Sequence, residues 1–334
     1  MFEDLVKSSG INGHQQAVTI INGAPLKWQC NNPTGAQGAE YPTEFAKKTH
    51  DVFVMTEAVP LKAHLKWSQT FDYASLFHDL AQTNVPNCQT YIYETWHCTK
   101  SGKPEGCEYD ENSNEPWRSR LTTYLPLWES IADEVNKTTT GPDMLIIPAG
   151  QCMAKLHDEV KAGKFLPEYD EIEDFYQDDI HLTETGNYFV ALVMYASIYK
   201  TSPVGLTNET KNKYGNPYKA PSAKHAQLMQ EIVWNTVCIY PRSGVNCSGV
   251  SATTDTNINS NVTVFPNPAY DNLTIKGDKN ISFVSIYPIV GNPIIEANIS
   301  HTSAVINITT LNKGMYFLNI SQGDSKQVIK FIKQ

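Results

Sequence analysis

The sequence predicts an α/β protein: a parallel sheet covered by helices on both faces, joined by a linker to a small antiparallel β-sandwich. Three observations predict it. Over residues 1–240, short apolar runs alternate with helical stretches. A stretch rich in Ser, Thr, Asn and Gly from Arg242 to Asn261 then has no periodicity, as a linker would. Beyond it, runs alternating at period two are separated by turn residues. The expected division is therefore 1–240, a linker at 241–261, and a β domain at 262–334.

Glu3 to Ser8 reads as the end of a helix. Ala17-Val18-Thr19-Ile20-Ile21 is expected as a strand closed by Asn22-Gly23, followed by strands at Asp51–Thr56, Thr90–Thr95 and Met144–Pro148. Helices fall between them at about Phe71–Ala81, Arg118–Val135 and Cys152–Ala162. An acidic loop, Glu168–Asp179, leads to a helix over Thr183–Tyr199 that is apolar nearly all round and belongs deep in a core. Ser222–Val237 is a final amphipathic helix. In the β domain, strands are expected at 273–275, 282–287, 304–308, 315–320 and 327–331.

A formal net charge of -9 over 334 residues argues against a nucleic-acid footprint, which needs clustered Lys and Arg. No stretch approaches the roughly 18–20 consecutive apolar residues of a transmembrane helix. The opening Met1-Phe2-Glu3-Asp4-Leu5-Val6 lacks the basic start and apolar block of a secretory signal. Among seven cysteines, Cys98 and Cys107 bracket a polar loop, as do Cys238 and Cys247. Two local disulfides fit an oxidising compartment, with free thiols as the other reading. No CxxC or Cys/His zinc spacing occurs, so neither metal nor cofactor is expected.

The sharpest chemical signal is Asp178-Asp179-Ile180-His181-Leu182, directly before the core helix. In serine hydrolases a histidine takes the hydroxyl proton and a carboxylate orients its ring. An Asp three residues before a His places both on one turn, and Thr183 is a fitting N-cap. A polar loop that merely caps a helix has the same spacing.

Asp178-Asp179-Ile180-His181-Leu182-Thr183-Glu184-Thr185-Gly186-Asn187-Tyr188 resembles the final block of the SGNH (GDSL-like) hydrolases. That resemblance implies a three-layer flavodoxin-like fold, hydrolysis of an ester or carbohydrate substrate, His181 as general base and Asp178 as its partner. It also implies that Gly23, in Asn22-Gly23-Ala24-Pro25-Leu26, donates its backbone N–H to an oxyanion. A plain turn glycine is the alternative.

Glu57 stands where the family carries an Asn. An ionised carboxylate repels an oxyanion, which leaves a structural acid, a substrate hydrogen-bonder or a protonated donor as its role. Trp96, after the Thr90–Thr95 strand, suits either stacking on a sugar or packing at the rim. The family's nucleophilic Ser block has no counterpart, and Ser8 and Ser9 are not in a strand-to-helix elbow. The expectation is a truncated reading frame whose chain is catalytically incomplete.

Val264-Phe265-Pro266-Asn267-Pro268-Ala269, Asp271-Asn272-Leu273-Thr274-Ile275, Leu311-Asn312-Lys313-Gly314-Met315-Tyr316-Phe317-Leu318 and the terminal Lys330-Phe331-Ile332-Lys333 resemble the type IX secretion-system type A sorting domains. That resemblance implies partnership with the type IX machinery and a secreted or outer-membrane surface location. Three functions follow as expectations: an exported serine esterase, such as a carbohydrate deacylase; a glycan-binding protein on the same scaffold; or a surface protein recognisable only by its export.

Overall fold

The computed structural model describes residues 1–247, 262–288, 294–322 and 325–334. The chain divides into two compact units, Met1–Asn246 and Cys247–Gln334. Residues 248–261, most of the expected linker, lie outside the described residues.

The first unit runs α1 (Phe2–Ser8), β1 (Thr19–Ile20), α2 (Leu26–Asn31), β2 (Gln37–Gly38), α3 (Tyr41–Ala46), β3 (Val52–Met55), α4 (Leu61–Trp67), α5 (Thr70–Asn84), β4 (Gln89–Glu94), α6 (Trp117–Asn136), β5 (Leu145–Pro148), α7 (Ala149–Lys161), α8 (Glu184–Tyr199) and α9 (Ala223–Ile239). Strands β3, β4 and β5 pair in parallel in that order, with Val54 opposite Tyr91 and Tyr91 opposite Leu145.

Successive strand residues face opposite sides, and here both sides are covered. Tyr91 and Ile147 join a core built with α1, α7, α8 and α9. Ile92, Ile146 and Met55 join a second core with α2 to α5 and most of α6. Fully burying one such aliphatic side chain contributes about 1.5–3 kcal/mol, so the apolar runs that marked these strands also hold them between the helix layers.

Helix α8 is buried along nearly its whole length, from Tyr188 to Ser197 with the exception of Met194. It starts where Thr183 Oγ1 accepts the Gly186 N–H at 3.3 Å. A Cβ on Gly186 would lie 2.4 Å from the Phe175 carbonyl oxygen, so only glycine lets this first turn close on the preceding loop.

The expected first strand, Ala17–Ile21, does not join the parallel sheet. Only Thr19 and Ile20 are extended, and they pair antiparallel with Gln37–Gly38 in a separate ribbon. Ile20 remains 45% exposed, whereas a central strand of a doubly covered sheet would bury it.

The second unit contains β6 (Thr263–Phe265), β7 (Asn272–Pro288), β8 (Ile295–Asn307), β9 (Gly314–Gln322) and β10 (Ser325–Lys333). Instead of the two separate sheets of the expected sandwich, they form one antiparallel sheet, β10-β9-β7-β6, with β8 also on β7. The physical reason is strand length: β7 has 17 residues and β8 has 13, so the same two strands run through both halves. Register shifts between Lys276 and Phe283 interrupt the ladder midway. Leu273, Ile275, Val284, Ile286, Leu318, Ile320 and Phe331 make its core.

Candidate functional site

The turn before α8 is closed at its base by the Tyr176–Leu182 bridge and by the Gln177 N–H donating to the His181 carbonyl at 2.8 Å. Within it, Asp178 Oδ1 accepts the backbone N–H groups of Ile180 and His181 at 2.9 and 2.7 Å. Asp178 Oδ2 lies 2.7 Å from His181 Nδ1. Desolvation pushes the Asp178 carboxyl upward, but the two amides and the imidazole outweigh it, and it titrates below its ordinary range. A carboxylate partner on Nδ1 selects the tautomer whose Nε2 is free to accept a proton. The His181 side chain is 58% exposed, so that nitrogen is open to a reactant.

Trp96 follows β4 at its carboxyl end and donates its indole N–H to the Ile180 carbonyl at 2.8 Å. Its ring packs edgewise on Tyr93 and Tyr176. The structure thus brings Trp96, Asp178 and His181 together. On the other side of the turn, Asp179 is 4% exposed and accepts the Glu108 N–H at 2.8 Å. Cys98 and Cys107 form a disulfide with a Cα–Cα distance of 6.0 Å. Cys238 and Cys247 are also disulfide-bonded.

Glu57, just beyond β3, is buried. Its Oε1 accepts the N–H groups of Leu26 and Ala58 at 3.2 and 2.8 Å, and its Oε2 accepts the Thr70 hydroxyl at 2.7 Å. Leu26 and Thr70 open α2 and α5, so this carboxylate fastens two helix N-termini to the end of one strand. Gly23 occupies an exposed turn at φ +66°, with no atom within 4 Å of where a Cβ would stand. The Glu57–Leu26 bond ties the segment following Gly23 to the carboxyl end of β3. Among the described residues, no hydrogen bond, ion pair or ring contact joins Gly23 or Glu57 directly to His181.

Two buried groups escaped the sequence reading. Glu94 ends β4 and accepts the Gln151 side-chain and backbone N–H groups at 2.7 and 3.3 Å. Burial pushes its carboxyl up to about 8 against the opposing effect of those donors. The signal available was an acid inside an apolar strand. Further on, His97 Nδ1 lies 3.2 Å from Asp110 Oδ2, and Arg120 Nη1 lies 3.0 Å from the same oxygen. Burial lowers the His97 pKa, with Asp110 opposing it. Arg120 sits on the stripe of α6 that also carries Trp117, Leu121 and Tyr124, so an Arg at a core-facing position was the clue. Donor atoms of Cys98, Cys107 and Asp179 lie within 4.8 Å of one another, but the disulfide removes both thiolates as metal ligands.

Residues 263–334 match the family model of the secretion system C-terminal sorting domain. The protein is therefore a type IX export substrate, destined for the cell surface or the medium. Among the described residues no helix is long and apolar enough to cross a membrane. No curated protein matches the chain. Among solved structures, PorZ, a surface component of the type IX secretion system of Porphyromonas gingivalis, shares 20% identity over 22% of this chain and 11% of its own, with a TM-score of 0.19. An engineered protein shares 8% over 85% of this chain and 86% of its own, TM-score 0.23. An endo-β-1,4-mannanase from Thermotoga petrophila shares 10% over 79% and 60%, TM-score 0.18. Likenesses at these scores do not define the fold of the first unit.

Proposed function

We propose that the first unit supplies the acid–base machinery of an exported SGNH-type serine ester hydrolase with a flavodoxin-like architecture. The observation that carries this reading is the exposed His181 whose Nδ1 faces the Asp178 carboxylate at 2.7 Å. In this mechanism Nε2 accepts the proton of a serine hydroxyl as its oxygen attacks the ester carbonyl. Asp178 stabilises the imidazolium so formed, and the Gly23 N–H receives the oxyanion. His181 then returns the proton to the departing alkoxide, and water repeats the sequence to release the acyl group.

The reading requires a serine hydroxyl within reach of His181 Nε2. One feature supports the reading: β3, β4 and β5 form a parallel sheet, and Trp96, just past the carboxyl end of β4, is bonded to the His181 turn. An acylated polysaccharide is the substrate class we favour for a surface-exported enzyme. The glycan-binding alternative rests on Trp96, which is half-buried, donates its indole N–H to Ile180 and packs edgewise on Tyr93 and Tyr176.

The test is aryl-ester hydrolysis by the full-length protein, with and without His181→Ala. Loss of about 10²–10⁴-fold in turnover is expected when the base is removed. Equal turnover in the two proteins would reject the His181 assignment.

A further inference from the structure

We infer that Asp179 is a positioning residue: it seats the disulfide-closed Cys98–Cys107 loop on the Asp178–His181 turn and so holds Tyr109 edge-on to the His181 ring. This rests on the reading of His181 as the base. Asp178 and Asp179 are adjacent, yet their carboxylates do opposite things. Asp178 closes the turn on itself, as described. Asp179 turns inward, where its Oδ2 accepts the Glu108 N–H at 2.8 Å and lies 3.3 Å from the Cys98 sulfur. Its carbonyl accepts the Thr99 N–H at 2.7 Å and the Thr99 hydroxyl at 3.3 Å. One residue therefore grips the loop immediately after each of its two cysteines.

Burying a carboxylate is costly unless strong partners compensate. Asp179 has no ion-pair partner among the described residues, and its Oδ1 is buried without a hydrogen bond. What the arrangement achieves is placement. Tyr109 lies between Glu108, held by Asp179, and Asp110, held by His97 and Arg120. Anchored on both sides, it still presents a ring that is 46% exposed, and it meets His181 at 5.1 Å with an interplanar angle of 71°. The loop itself carries Gly102 and Gly106, both at positive φ, and its middle is bonded elsewhere: the Ser101 hydroxyl donates to the Glu115 carbonyl at 2.7 Å and the Gly102 N–H to the Ser113 carbonyl at 2.8 Å. The Asp179 clasp is what ties the two cysteine ends to the His181 turn.

The spectroscopic signature is the ring-current shift that Tyr109 imposes on the His181 ring protons in the full chain. Tyr109→Leu is expected to remove that shift. Asp179→Ala is expected to move the same signals to the Tyr109→Leu positions and to speed amide exchange at Ile180 and His181 by about tenfold. Asp179→Asn keeps an oxygen acceptor for the Glu108 N–H and is expected to restore the wild-type signals. Unchanged His181 signals in Asp179→Ala, or in Tyr109→Leu, would overturn the inference even if stability fell. Should Asp179→Ala not fold, Glu108→Pro removes the N–H that Asp179 accepts: displaced His181 signals support the clasp, and unchanged ones refute it. None of these readouts needs turnover. Displaced signals combined with equal esterase activity in wild-type and His181→Ala protein would therefore sink the hydrolase reading and leave the clasp standing.

Discussion

The two units of the chain bury different things. The first encloses Glu57, Glu94, His97, Asp110, Arg120 and Asp179, all nearly inaccessible to solvent. The second encloses aliphatic and aromatic side chains, and among its described residues the buried polar ones are only Ser285 and Gln322. Apolar burial is favourable without any partner, whereas a buried charge is tolerable only when geometry supplies one. The first unit therefore holds polar groups at fixed positions beyond the ends of β3 and β4 at an energetic cost. The second needs none of this to fold, consistent with a domain that serves as an export address.

The strongest way to break that contrast is Arg120→Ala. It strands Asp110 and Glu111 without their guanidinium, and removing one member of a buried pair costs about 3–5 kcal/mol. All six tryptophans, from Trp28 to Trp234, belong to the first unit, so tryptophan fluorescence in urea follows that unit alone. A loss below about 1 kcal/mol would be the size of a surface pair and would end the argument that this cluster is special.

Glu94 sharpens the same contrast through pH. Its folded pKa stands at about 8 against an ordinary 4.5, so between those values the native state keeps a proton that the unfolded chain has released. Stability from this residue therefore falls as pH rises from about 4.5 to about 8, and is level beyond. Glu94→Gln has no such proton and retains an oxygen acceptor for Gln151. The variant is expected to match wild type at pH 4 and to gain up to about 5 kcal/mol at pH 9, read from urea midpoints at each pH. A gain that does not vary with pH would show that packing, not ionisation, separates the two proteins.

What could be read from the sequence divides along contact range. Val52–Met55, Gln89–Glu94 and Leu145–Pro148 were legible as strands because a sheet buried on both faces demands apolar runs. Ala17–Ile21 has the same β-branched character, and nothing local distinguishes a central strand from a two-residue ribbon whose partner is Gln37–Gly38. The geometry of Asp178 with His181 was legible because the partners are three residues apart. The bond from Glu108 to Asp179 spans 71 positions, and the bond from Leu26 to Glu57 spans 31. No spacing rule reaches that far, so the wall beside His181 and the helix clamp at Glu57 had to be seen in three dimensions. The short helices α2, α3 and α4 escaped because none is longer than seven residues, too short for a periodic apolar face to declare itself.

The smallest predicted effect bears on the junction between the turn and the core. Thr183 opens α8 by accepting the Gly186 N–H, and its hydroxyl also lies 3.1 Å from the Phe175 carbonyl, which its backbone N–H reaches at 2.9 Å. Thr183→Ala removes the side-chain cap while leaving the backbone bond to Phe175 in place. A lost N-cap costs about 1 kcal/mol, well below the effect of stranding a buried charge. Because α8 is held by apolar contacts on nearly every side, the helix should survive and the damage stay at its first turn. Hydrogen exchange then decides the matter: faster exchange confined to residues 184–187, with α8 beyond Tyr188 unchanged, is the expected pattern. Faster exchange along the whole helix would mean that the cap, rather than the surrounding core, holds α8 in place.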